Sequence, residues 1–115
     1  YLVEQMNARV QVFSPAGEFL ETLGGPGRQP GTFTRPKDVT VDESNLVYVT
    51  DAAFNNVQIF DADHQLLTFV GTAGNKPGGL QNPQGVAVRG VEFAVVDQLN
   101  RRVQIFRFLG PKLGD

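Results

Sequence analysis

The chain has 115 residues, 41% of them hydrophobic, which suits one ordinary domain with a packed core. Its formal charge of −2 excludes a bulk electrostatic field aimed at nucleic acid or an anionic membrane, so a charge argument has to come from distribution. The absence of cysteine removes disulfides and thiolate chemistry, one histidine is too few for a His-rich metal cluster, and no stretch approaches the roughly 20 apolar residues of a membrane span.

In chain order, the first signal is "YLVEQMNARVQVF" (Tyr1 to Phe13), whose Val10 and Val12 alternate with Gln11 and Phe13 at the period of a β-strand. "SPAG" follows as a hairpin turn, with Gly17 free to take positive φ, and Ser14 belongs to it. "GGPGRQPG" would break any helix that crossed it. Four strands then follow at Lys37 to Val41, Val47 to Thr50, Val57 to Phe60 and Leu66 to Val70, with Ser44 in the first turn and "DADHQ" as the last one. His64 sits in that last turn and is expected to be solvated. After a second glycine-rich run, "GTAGNKPGG", the strand "VAV" (Val86 to Val88) leads to "AVVDQLNRRVQIF" (Ala94 to Phe106).

These segments are copies of one another. The phrases beginning at Tyr1, Tyr48 and Ala94 align without gaps at offsets of 47 and 46 residues, Pro30-Gly31 falls over Pro77-Gly78, and Val39 to Val41 falls over Val86 to Val88. A period of this size belongs to propeller blades or helical repeats, and the two-residue alternation with 13 glycines and 7 prolines selects the blades. The fold class is therefore all-β, with three strands, then four, then three.

The repeated pattern V-x-D, a short polar loop, x-V-Q-[IV]-F, a glycine after the next strand, a Gly-rich loop and P-x-x-V-x-V resembles the NHL repeat, which builds six-bladed β-propellers. The resemblance spans residues 1–109, as a partial blade at 1–23, a full blade at 37–70 and a partial blade at 84–108, with 110–115 as a C-terminal tail. It departs from the pattern at Glu4, where Asp is usual, and at Phe54, where Asn7 and Asn100 stand in the other copies. The wording "NVQIFD" and "NRRVQIF" is most similar to bacterial members, many of them exported, which implies a periplasmic or extracellular protein. The resemblance also implies that these 2.5 blades are the C-terminal part of a longer ring, or a fragment that self-associates to complete one.

In a blade, both faces of the sheet pack on neighbouring blades, so the recurring Val, Ile and Phe are expected in the interblade core. Gln11, Gln58 and Gln104 interrupt that apolar phrase, and an amide that bonds neighbouring backbone in every blade explains them. Function in such folds lives in loops. Turns from second to third strand and connectors from blade to blade share one rim, which holds Arg9, Arg28, Arg35, Lys76, Arg101 and Arg102 against the loop carboxylates Glu4, Asp51 and Asp97. The opposite rim holds Glu18, Asp42, Glu43, Asp61, Asp63 and Glu92 against Arg89 and Arg107.

Two readings of the basic rim follow: docking of an anionic partner, or pairing of Glu4 with Arg9 and of Asp97 with Arg101 or Arg102 inside their own loops. The expected role is a protein-binding or scaffold module that uses no cofactor and no metal, with Phe54, Asn55 and Asn56 as a protruding aromatic and amides beside the arginines. Single-stranded RNA is the alternative partner, although Phe54 is the one clear stacking platform. A metal-dependent hydrolase or lyase is the third reading. The inner strands "KDVTV" and "QGVAV" offer it only Asp38, so its site would lie in other blades, and this segment is expected to be non-catalytic.

Overall fold

A computed structural model describes residues 1–109, and the expected tail at 110–115 lies outside the described residues. Three antiparallel sheets follow one another along the chain. The first holds β1 (Leu2–Glu4), β2 (Arg9–Phe13) and β3 (Phe19–Leu23). The middle sheet holds β4 (Pro36–Val41), β5 (Val47–Asp51), β6 (Asn56–Phe60) and β7 (Leu66–Val70). After the two-residue strands β8 (Thr72–Ala73) and β9 (Gly79–Leu80), the third sheet holds β10 (Pro83–Arg89), β11 (Glu92–Asp97) and β12 (Arg102–Arg107). Each sheet is a meander in which chain neighbours pair, and one 3-10 turn at Gln98–Asn100 is the nearest thing to a helix among the described residues. No helix there is long and apolar enough to cross a membrane.

Alternation along the strands builds two cores. Val47, Val49 and Phe60 of the middle sheet face Val10, Leu23 and Phe33, while Tyr48, Val57 and Ile59 face Leu80, Val86, Phe93 and Val95. Every residue of β5 and β6 is buried because each has a sheet on both sides. The edge rings carry geometry as well as area: Phe33 meets Phe60 edge-on at 5.9 Å, and Phe93 stacks on Phe106 at 5.3 Å.

The glycine-rich connectors are more ordered than plain turns. Thr72 and Ala73 pair in parallel with Gly79 and Leu80, and the first connector repeats the arrangement as a parallel bridge from Pro26 to Phe33. Each connector thereby drives one apolar side chain, Phe33 or Leu80, between sheets. Gly24 and Gly71 make room for it, since they hold φ of 75° and 98° and a Cβ there would stand 2.2 Å from the Phe33 ring or 2.6 Å from Leu80.

The repeated glutamines lock those connectors. Gln58 accepts from Gly31 N at 2.9 Å and donates to Thr32 O at 2.8 Å, and Gln104 does the same to Gly78 N and Gly79 O at 3.1 and 2.7 Å. One amide satisfies a donor and an acceptor that the connector leaves unpaired. On the inner strands, Asp38 accepts from Val86 N at 2.9 Å and Thr50 donates to Gln84 O at 2.6 Å, which ties the middle sheet to the third.

Candidate functional site: the loop rim

The turns from second to third strand have one backbone shape. Ala8, Asn55 and Arg101 occupy equivalent places and all take left-handed φ, at 50°, 56° and 55°. A carboxylate closes each turn. Asp51, fully buried, accepts from the N–H groups of Thr34, Ala53 and Phe54 at 2.8, 2.9 and 3.1 Å, and from Arg35 N at 3.2 Å. Asp97, also fully buried, accepts from Gln81 N at 2.8 Å and from the side chains of Asn100, Arg102 and Gln104 at 2.9, 2.7 and 3.1 Å. Glu4 accepts from Asn7 at 2.7 Å and pairs with Arg9.

Burial alone would push the Asp97 carboxyl up, but the Gln81 N–H and the Asn100, Arg102 and Gln104 side chains reverse that and hold it below its ordinary value. Arg9, and after it Asn7, holds Glu4 low in the same way. These carboxylates are therefore fastened to their own turns, and Asp51 and Asp97 also to the arriving connector. The same bonds turn the Arg9 and Arg102 charges inward. Arg28, Arg35, Lys76 and Arg101 stay exposed, so the outward charge of this rim is basic.

The middle blade shapes the rim into two hollows. Ala52 and Ala53 stand where the other copies have Gln5-Met6 and Gln98-Leu99, and with Arg35, Asn55, Asn82 and Leu99 they line a cleft of about 520 Å³ between the middle and third blades. Asn55 braces its floor by accepting from Asn82 N at 2.9 Å. On the other side of Phe54, a cavity of about 240 Å³ is lined by Arg28, Phe54, Asn56 and Phe69 with neighbouring connector residues. The structure thus brings Arg35 to Asn55, and Arg28 to Phe54 and Asn56, while Arg9, Lys76, Arg101 and Arg102 belong to the flanking loops.

Two expectations change. Asn56 does not protrude: it opens β6 opposite Asp51, is only 9% exposed, and its Oδ1 has no hydrogen-bond donor. Phe54 and Asn55 are half-buried and form a ridge between the hollows. His64 is not a solvated turn residue. It takes the left-handed position of its turn, where the preceding copy has Gly17, but its side chain is 14% exposed, pairs with Glu21 and bonds Tyr1 Oη at 2.8 Å. Both partners come from the first blade, 43 and 63 residues away, which no local pattern reveals.

The column of Asn56 carries a signal that its reading as a protruding amide passed over. Arg9 and Arg102 occupy its column in the other copies, so the middle blade alone has lost a long basic side chain there. Among the described residues no group of three or more His, Asp or Glu side chains is placed to hold a metal ion.

A protein-family model described as 6-bladed beta-propeller matches residues 1–68 of this chain. No curated protein matches it.

Proposed function

As a member of the 6-bladed beta-propeller family, the chain is, we propose, a non-catalytic protein-binding module of NHL type that contacts an acidic segment of its partner through the rim around Phe54. One observation carries this reading: the rim's carboxylates Asp51 and Asp97 are buried and spent on backbone and neighbouring side chains, while Arg28, Arg35, Lys76 and Arg101 face outward. Exposed cations around a half-buried aromatic ridge suit an acidic protein surface, which they steer and orient. The NHL assignment is supported by the 47- and 46-residue column spacing, and the "NVQIFD" and "NRRVQIF" wording supports a bacterial source. The remaining blades of the ring, or a second copy, would cover the apolar outer face of the third sheet, where Val103 and Ile105 are 60% and 69% exposed.

The test is fluorescence anisotropy with a labelled poly-glutamate peptide and, in parallel, a labelled oligouridine. Arg35→Glu with Arg101→Glu is expected to weaken peptide binding about tenfold or more, with oligouridine bound more weakly than the peptide by the unaltered chain. Tighter, strongly salt-dependent binding of oligouridine would replace the protein partner by single-stranded RNA. Failure of both probes to bind would remove the rim as a charged contact surface.

A further inference from the structure

The third strand opens with Arg9 in the first blade and Arg102 in the third, but with Asn56 in the middle blade. Arg102 shows what the long side chain does at that place. Its Nε donates to Asp97 Oδ2 at 2.7 Å, and its Nη2 donates to the carbonyls of Lys76 and Gly79 at 3.0 and 2.9 Å. The equivalent acceptors in the middle blade are Asp51 Oδ1, Gln29 O and Thr32 O, since Thr34 N bonds Asp51 Oδ2 as Gln81 N bonds Asp97 Oδ1. Asn56 is several atoms shorter, and a cavity of about 240 Å³ opens beside it.

The acceptors have been only partly reassigned. Gln29 O takes the hydroxyl of Thr32 at 2.6 Å, and Thr32 stands where the third blade has Gly79. Asp51 Oδ1 is filled by the N–H groups of Arg35, Ala53 and Phe54, but Thr32 O takes Gln58 Nε2 alone where Gly79 O also takes Arg102, and Asn56 Oδ1 is buried with no donor. A buried acceptor without a donor is costly, so a ligand that supplies planar N–H donors gains by entering. The walls fit the rest of such a ligand. Phe54 and Phe69 present rings to an aliphatic stem and a guanidinium plane, and Arg28, exposed and lining the same cavity, meets an anion. The volume lies below the roughly 300 Å³ at which pockets for drug-sized ligands begin and suits one long side chain.

We propose that the cavity beside Asn56 is a slot for an arginine that also carries a carboxylate, either the last residue of a partner chain or the free amino acid. The middle blade thereby takes from outside the guanidinium that its neighbours supply from within. The inference does not rest on the acidic-segment reading of the rim, because its ligand is a single residue and its test uses small molecules.

The experiment is a titration of the 115-residue chain with N-acetylarginine, L-arginine, agmatine and N-acetyllysine, followed by NMR on the Asn56 side-chain amide. N-acetylarginine is expected to bind at least about threefold tighter than agmatine, which lacks the carboxylate, and about tenfold tighter than N-acetyllysine, which lacks the planar fork. Arg28→Ala should erase the gap to agmatine. Phe69→Ala, at a side chain already 50% exposed, should weaken all arginine ligands without unfolding the chain. Asn56→Arg should abolish binding and raise the melting temperature with no ligand present, by filling the slot and donating to Thr32 O as Arg102 donates to Gly79 O. Preference for N-acetylarginine over L-arginine identifies a chain terminus, and the reverse identifies the amino acid. A lower melting temperature for Asn56→Arg, equal binding of N-acetyllysine, or no saturable binding of either arginine ligand overturns the proposal.

Discussion

The middle and third blades carry nearly the same strand, "NVQIF" and "RVQIF", in opposite circumstances. Val57 and Ile59 are fully buried, while Val103 and Ile105 at the equivalent places are 60% and 69% exposed. The strands pair in the same way, Tyr48 opposite Ile59 and Ala94 opposite Ile105, so hydrogen bonding is not the difference. What differs is the sheet packed beyond them. A repeat writes the same apolar face into each blade, and only the next blade turns that face into core.

The comparison breaks most readily at the isoleucines. Ile59→Ala is expected to cost about 2–5 kcal/mol of unfolding free energy in urea, as large-to-small changes in a closed core do. Ile105→Ala should cost less than about 0.5 kcal/mol, as surface changes do. Equal costs at the two sites would mean that the third sheet's outer face is covered in solution, and light scattering would then give a mass above that of one chain.

Next in size is the connector wedge. Gly71→Ala places a Cβ at positive φ and against Leu80, and should cost about 1–3 kcal/mol. Gly17→Ala carries the strained φ without the collision, since nothing lies within 4 Å of its Cβ position, so it should cost less and isolate the packing contribution. Thermal melts of the two variants measure the difference.

The glutamine locks sharpen the comparison further. Gln58→Leu strands a half-buried connector N–H and C=O, for a loss of about 1–3 kcal/mol, whereas Gln104→Leu leaves groups that water reaches more readily and should lose less. Amide exchange at Gly31 and Gly78 would follow each lock separately.

The smallest effect is in pH. Because the folded Asp97 carboxyl lies below its ordinary value of 3.8, its stabilising contribution is present above that value and is lost as pH falls through the lower folded one. Asp97→Asn should therefore flatten the acid limb of a stability-against-pH curve. A limb unchanged by the substitution would show that other carboxylates govern it.

Most of the fold could be read from the sequence because equivalent residues repeat in columns. Gln58 and Gln104 were legible as backbone locks for that reason, although the partner, the connector arriving from the preceding blade, emerged only with the structure. The site was legible in part. Strand order alone placed Arg28, Arg35, Phe54 and Asn55 on one rim, and the structure sets them around its two hollows. The inward turn of Arg9 and Arg102 followed from the nearness of an acid in the same turn. Asn56 was named for the wrong reason, as a protruding amide like its neighbour Asn55, because its burial shows only once its column is compared with arginine. His64 escaped because its partners come from another blade, and long-range side-chain contacts leave no local period.

The glutamine locks also bear on how the chain is made. Gln58 lies 27 residues beyond Gly31, and Gln104 lies 26 beyond Gly78, so the amide that locks each connector belongs to the blade that comes after it. On the ribosome, a finished blade therefore emerges with its trailing connector still open, and the third strand of its successor is the latch. Synthesis proceeds as a series of closures, each of which depends on the blade that follows.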